Sequence, residues 1–280
     1  MKSFIFPGQG SQIKGMGAEL FTEFKDKIKR VNEILCYSLE DLILDDENNL
    51  LNNTLFAQPA LYVVSCLEYM KNVNENNIKP DYLAGHSLGE FIALFAAGVY
   101  DFETGLKIVN KRAQIMSKVE NGAMATVVGE EITVVQNIVS KIDGLFIANY
   151  NSEIQTVISG TKDSIHKAQE LFQERGVGYY ILPINCPCHS PMLQSSASEF
   201  KSFLSSYQFK EPKIPIISNF TGREYEYKDM HDTIANQMCN PVRWKESMYY
   251  LLKKDVTDYS VVGPSHVIKK IVDKNIKEFS

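Results

Sequence analysis

The chain has 280 residues, 44% of them hydrophobic, and a formal net charge of −5. That length buries a sizeable core and has room for more than one unit of ordinary size. The acidic balance argues against a nucleic acid or an anionic membrane as partner. The start carries one lysine and a short apolar stretch before Pro7, too little for a signal peptide. No apolar run approaches the roughly 18–20 residues of a membrane span. The five cysteines, Cys36, Cys66, Cys186, Cys188 and Cys239, form no CxxC pair and read as reduced thiols of a cytoplasmic protein. Cys186-Pro187-Cys188-His189 clusters three metal-ligating residues, but no second separated pair accompanies it, so no metal is expected.

Along the chain, residues 3–6 read as a short buried strand that runs into the turn residues Pro7-Gly8-Gln9-Gly10. Residues 45–54 are polar, Asn-rich and expected on a surface loop. Pro59 suits the first position of an apolar helix that continues to about Met70. A strand over 81–85 leads into a strongly apolar helix over 88–97. Asp101 is placed to cap the next helix, which runs to about Lys118. The middle changes rhythm: strand 123–128, helix 133–140, strands 145–150 and 155–159, helix 163–174, strand 178–182. That β-α-β-β-α-β order is the ferredoxin-like pattern. It predicts a small inserted subdomain, 123–189, between two halves of a large domain, 1–122 and 190–280. The C-terminal part resumes alternation, with helices over 191–207, 230–238 and 241–254 and strands over 214–218 and 259–262. Pro264 is expected to start the last helix. Strands alternating with helices imply an α/β fold with a mostly parallel sheet.

Gly85-His86-Ser87-Leu88-Gly89 is a G-x-S-x-G motif between a strand and an apolar helix, the setting of a nucleophile elbow. The elbow puts the Ser87 hydroxyl at a helix N-terminus, where backbone N–H groups face developing negative charge. A serine needs a base to become a useful nucleophile. Of the five histidines, His86 sits inside the elbow, His166 on a solvated helix face and His231 at a polar helix start. His189 and His266 remain, each just beyond a strand. Chain order in ordinary α/β-hydrolases favours His266, and spacing alone does not choose. On a helix over 102–119, Phe102, Leu106, Val109, Ala113 and Met116 form an apolar stripe, and Arg112 lies on the adjacent row with Ile108, Ile115 and Val119. Two readings of Arg112 stay open: a bidentate fork for a substrate carboxylate, or an internal salt bridge or snorkelling side chain.

Taken together, these residues resemble the malonyl-CoA:acyl-carrier-protein transacylase family. The matches run from Phe6-Pro7-Gly8-Gln9-Gly10-Ser11-Gln12 through Gln58-Pro59-Ala60, the elbow with Glu90, and Arg112 with Met116. They continue with Asn149, Asn151 and Gln155, His189-Ser190-Pro191-Met192, Gln237, Asn240-Pro241-Val242-Arg243-Trp244 and Gly263-Pro264. The stretch from Ala84 to Arg112 looks most like the discrete, trans-acting acyltransferases of modular polyketide synthases. The fatty-acid-synthesis enzymes are close relatives.

The resemblance implies an α/β-hydrolase-like large domain with a ferredoxin-like insert. It implies His189 as the base, with the backbone carbonyl of Gln237 orienting it, and Arg112 as the partner of the malonyl carboxylate. Backbone N–H groups of Gln9 and Leu88 would form the oxyanion hole, and Gln58, Cys188, Asn149 and Asn151 would line the pocket. The reaction so implied moves malonyl from malonyl-CoA, through a malonyl-serine, to the phosphopantetheine thiol of an acyl carrier protein, without metal or redox cofactor. The alternatives are an acyl hydrolase of the same fold that clears carrier proteins, and a non-enzymatic interaction module. The sequence departs from the family at Cys188, where Phe or Ser is usual, at Ala113, where Gly is usual, and at Val261-Val262-Gly263-Pro264-Ser265.

Overall fold

The computed structural model describes residues 1–76, 78–264 and 266–279, with all their side chains except those of Asn76 and His266. It contains a parallel sheet and an antiparallel sheet, each of four strands. The parallel sheet is built from β1 (Lys2–Phe6), β2 (Tyr82–Gly85), β7 (Ile216–Ile217) and β8 (Asp258–Val261), in the order β7-β2-β1-β8. Every pairing in it is parallel. The second sheet holds β3 (Gly122–Val128), β4 (Leu145–Ser152), β5 (Gln155–Thr161) and β6 (Gly178–Ile181), in the order β4-β5-β3-β6 and antiparallel throughout. Numbered within that sheet alone, the order is 2-3-1-4, the ferredoxin-like arrangement, so the fold class is the expected one.

Alternation along the central strands sets the layers. Phe4 and Phe6 of β1, Leu83 of β2 and Ile216 of β7 face one core, together with helices Thr54–Asn76, Gly89–Ala96 and Phe102–Ser117. Ile5, Ala84 and Ile217 face the other, packed against Trp244–Lys253 and His266–Phe279. Period two along a strand, with both faces buried, is what a parallel sheet covered by helices requires. A third core, with Val127, Ile147, Ile158 and Phe172, lies between the small sheet and its own helices, Ile132–Val139 and Lys162–Glu174. Each fully buried Leu, Ile or Phe in such cores contributes about 1.5–3 kcal/mol. The opposite face of the small sheet sends Met124, Ala148 and Val157 into the main core. Tyr150 N donates to Val242 O at 2.9 Å and Val242 N to Ala148 O at 2.8 Å, tying β4 to the segment before the Trp244 helix.

Three proline readings and one loop differ from expectation. The helix holding Pro59 begins earlier, at Thr54, and Pro59 lies inside it. Asn53 provides the start: its carbonyl accepts from Ala57 N at 2.8 Å and its Oδ1 from Leu55 N at 2.9 Å, so the helix needs no proline to nucleate it. The same start shortens the 45–54 loop, which also contains a 3₁₀ turn over Leu50–Asn52 with Leu51 buried. Pro241 does not open a helix. Val242 is held in an extended bridge to Asn149, and the helix starts at Trp244. The last helix starts at His266 rather than Pro264, and Ser265 between them lies outside the described residues. Residues 191–207 divide into a 3₁₀ turn, Pro191–Leu193, and a helix, Gln194–Leu204. No helix among the described residues is long and apolar enough to cross a membrane.

Candidate active site

β2 ends at Gly85, and Ser87 follows with φ 52° before the helix Gly89–Ala96. A left-handed backbone is costly for a serine, so the surroundings must hold it. They do so by close approach. A Cβ on Gly85 would sit 1.9 Å from the backbone of Gly89, and one on Gly89 would sit 2.2 Å from Phe6 O. Both positions therefore need glycine. Ser87 N donates to Asn219 Oδ1 at 2.6 Å, and Asn219 Nδ2 donates to Gly85 O at 2.7 Å, closing the elbow from the side of β7.

His189 reaches the same point from the loop after β6. It also has a positive φ, 57°, and its N donates to Met238 O at 3.1 Å. Its ring joins Ser87 Oγ at 2.7 Å through Nε2 and Gln237 O at 2.8 Å through Nδ1. A carbonyl only accepts, so Nδ1 carries the proton and Nε2 is free to accept the serine proton. His266, the other candidate base, has its side chain outside the described residues. His86 turns to Asn151 Oδ1 at 2.9 Å, His166 is exposed, and His231 meets Tyr207 O at 3.0 Å.

Arg112 is 1% exposed. Nη1 donates to Gln58 Oε1 at 2.7 Å, and Nη2 donates to Gln237 Oε1 at 3.2 Å and to Ser87 Oγ at 3.4 Å. The guanidinium lies over the Phe91 ring at 5.2 Å, and Nε is buried without a partner among the described residues. No salt bridge to a carboxylate is formed by Arg112 among the described residues. The internal-salt-bridge reading thus finds no partner among the described residues. Burial lowers the Arg112 guanidinium to about 10, which leaves it charged at neutral pH. A buried cation held only by neutral oxygens retains strong attraction for an anion.

Burial, and then the charge of Arg112, push the His189 imidazole down to about 3. The sign follows: a histidine whose folded value lies below its ordinary 6.5 stays neutral as pH falls through 6.5. Its contribution to stability is complete above 6.5 and is lost towards 3. Acylation of the free protein should therefore keep its rate through pH 6 and drop only well below it. Single-turnover acylation against pH checks this, and a limb centred on the ordinary imidazole value would contradict it. Glu90 is raised to about 7 by burial, so the profile is compared with that of Glu90→Gln, which does not titrate there.

A cavity of about 80 Å³ is lined by Ser87, His189, Arg112, Gln9, Asn149 and Cys188, among others. A neighbouring cavity of about 210 Å³ shares Gln9, His86, Asn149, Leu182 and Ile184 with it, and adds Asn151 and Gln155. Asn149 Oδ1 is buried without a partner among the described residues. The backbone N–H groups of Gln9 and Leu88 donate to nothing within the described chain. Gln58 Nε2 reaches Gln9 Oε1 at 3.5 Å, linking the first turn to the helix below Arg112. Of the expected site residues, Ser87, His189, Arg112, Gln9, Asn149 and Cys188 line the smaller cavity and Asn151 the larger, while Gln58 and Gln237 bond to Arg112 and Leu88 is buried next to Ser87. Asn219, Tyr225 and the role of Glu90 went unseen in the sequence. Asn219 stands just beyond the C-terminal end of β7, the end where open α/β sheets place their sites, and that position was its one signal. Among the described residues no cluster suits a metal ion.

The model of the acyl transferase domain matches residues 3–266. The chain belongs to that family. Within it, this acyltransferase is 43% identical, over 99% of its own length and 98% of the relative's, to the polyketide biosynthesis malonyl CoA-acyl carrier protein transacylase PksC of Bacillus subtilis. Its fold matches the crystal structure of a malonyl CoA-acyl carrier protein transacylase from Burkholderia pseudomallei with a TM-score of 0.96 and 39% identity, covering 99% and 98% of the two chains. It also matches, with a TM-score of 0.93, 28% identity and coverage of 99% and 93%, a malonyl-transacylase solved in complex with its type II PKS acyl-carrier protein.

Proposed function

We propose that this acyltransferase moves malonyl from malonyl-CoA to the phosphopantetheine thiol of an acyl carrier protein by a ping-pong route, in the cytoplasm, in service of polyketide synthesis. One observation carries the reading. Ser87 Oγ lies within reach of both His189 Nε2, at 2.7 Å, and Arg112 Nη2, at 3.4 Å. A thioester carbonyl at the serine therefore has its own free carboxylate at the guanidinium only if the two are separated by about one methylene. Malonyl meets that geometry.

In the first half-reaction Ser87 Oγ attacks the thioester carbon and its proton passes to His189 Nε2. The oxyanion accepts from Leu88 N and Gln9 N, where one such donor is worth about 3–4 kcal/mol. The carbon–sulfur bond breaks, the CoA thiolate takes the proton from His189, and malonyl-Ser87 remains. In the second half the carrier thiol gives its proton to His189 and attacks the acyl-serine, and the serine oxygen recovers the proton as it leaves. Gln237 O keeps the imidazole in the tautomer that both halves need. The wider cavity beside the elbow accommodates the pantetheine arm, with Asn149 and Asn151 facing its amides and Gln58 bracing the fork. Cys188 bounds the acyl end. We take residues 123–189 as a subdomain that closes this cavity from above. No step calls for a metal or a redox cofactor.

The test uses malonyl-CoA with and without a phosphopantetheinylated carrier. Malonyl should accumulate on the protein alone and pass to the carrier when it is added. Rapid release of free malonate, with no carrier loading, would instead identify a hydrolase.

A further inference from the structure

Glu90 lies three residues after Ser87, 1% exposed, and the chemistry above leaves it unused. Its Oε2 accepts from Asn219 N at 3.0 Å and from Gln237 Nε2 at 3.1 Å, and its Oε1 accepts from the Tyr225 hydroxyl. The second hydrogen of the Gln237 amide goes to Ser87 O at 2.8 Å. Both amide hydrogens are then committed, and Gln237 Oε1 is left facing Arg112 Nη2 at 3.2 Å. Only this orientation of the amide satisfies every neighbour, because the guanidinium donates while Ser87 O and the carboxylate accept. Arg112 is thus held by two neutral amide oxygens, and one of those amides is itself anchored by Glu90.

We propose that Glu90 is a positioning residue for donor selection: it anchors the Gln237 amide and so keeps Arg112 Nη2 aimed at the free carboxylate of the acyl group. The inference rests on the reading of Arg112 as partner of that carboxylate. The indirect arrangement has a physical reason. A carboxylate placed directly on Arg112 would occupy the fork that the substrate needs. Behind an amide, its oxygen supplies a hydrogen-bond acceptor while leaving the fork open.

The experiment measures kcat/KM for malonyl-CoA and acetyl-CoA with Glu90→Leu, Glu90→Asp, Glu90→Gln and Arg112→Ala in the full chain. In Glu90→Leu the malonyl-to-acetyl ratio should fall about tenfold, the size expected from loss of one hydrogen bond to a charged group. The loss should fall chiefly on the malonyl KM. Glu90→Asp withdraws the acceptor by one methylene and should lower the ratio in the same direction, which decides the matter if Glu90→Leu does not fold. Glu90→Gln should restore most of the ratio: its oxygen accepts from Asn219 and Gln237 while its NH₂ meets the Tyr225 oxygen. Equal loss for both donors, with the ratio intact, would make Glu90 a support of the fold alone. Failure of Glu90→Gln to rescue the ratio would overturn the hydrogen-bond anchor. If Arg112→Ala also leaves the ratio unchanged, the Arg112 reading itself falls, whatever Glu90 does.

Discussion

Ser87→Ala should abolish both the malonyl adduct and carrier loading, with a rate loss of about 10⁴- to 10⁶-fold, the range found when an activated nucleophile is removed. The fold should survive, since the side chain is small and half-buried and, among the described residues, its oxygen bonds only to His189 and Arg112. What holds the elbow is backbone: Ser87 N on Asn219 and Ser87 O on Gln237 remain in the alanine variant. The left-handed φ of 52° also remains, and alanine bears it no better than serine. Intact-mass analysis after incubation with malonyl-CoA reads the result. An adduct of the same mass on Ser87→Ala would place the nucleophile elsewhere. Cys188 is the first place to look, because its thiol lines the same cavity.

Arg112→Ala should separate donors rather than stop the reaction. Loss of a buried charge partner costs about 3–5 kcal/mol, so malonyl transfer should fall by about two to three and a half powers of ten. Acetyl transfer should hold or rise, because a monoacid brings no charge to pair and leaves the native guanidinium unmatched in a dry pocket. Steady-state kinetics with both donors checks it. Equal losses would mean that Arg112 supports Gln58 and Gln237 and does not grip substrate.

The elbow was legible because its chemistry is local. Two glycines, a serine and a helix-forming apolar run lie within ten residues, and the steric reason for each glycine operates over that span. The β-α-β-β-α-β rhythm was legible for the same reason, since strand and helix periods are written residue by residue. Prolines misled where tertiary contacts overrode local preference. Asn53 had already started the helix that contains Pro59, and pairing with β4 drew Val242 into an extended bridge. Spacing could not choose between His189 and His266, because the base meets Ser87 across 102 residues of chain. Gln237 entered only through the family resemblance, as the part it plays toward His189 belongs to a backbone carbonyl that every residue type possesses. Glu90 was visible in the motif and mute, its meaning supplied by Asn219, Tyr225 and Gln237 from distant segments.

By itself the sequence determined the element types, the sharp turn at Ser87 and the presence of an arginine on an apolar helix, because sterics and hydrophobic period act between near neighbours. Whether that arginine was paired or free was decided only in three dimensions. Its charge is surrounded by groups from segments far apart in the chain, and its hydrogen-bond partners among the described residues, Gln58, Gln237 and Ser87, are neutral. Electrostatic balance belongs to the assembled pocket, and no stretch of chain carries it alone.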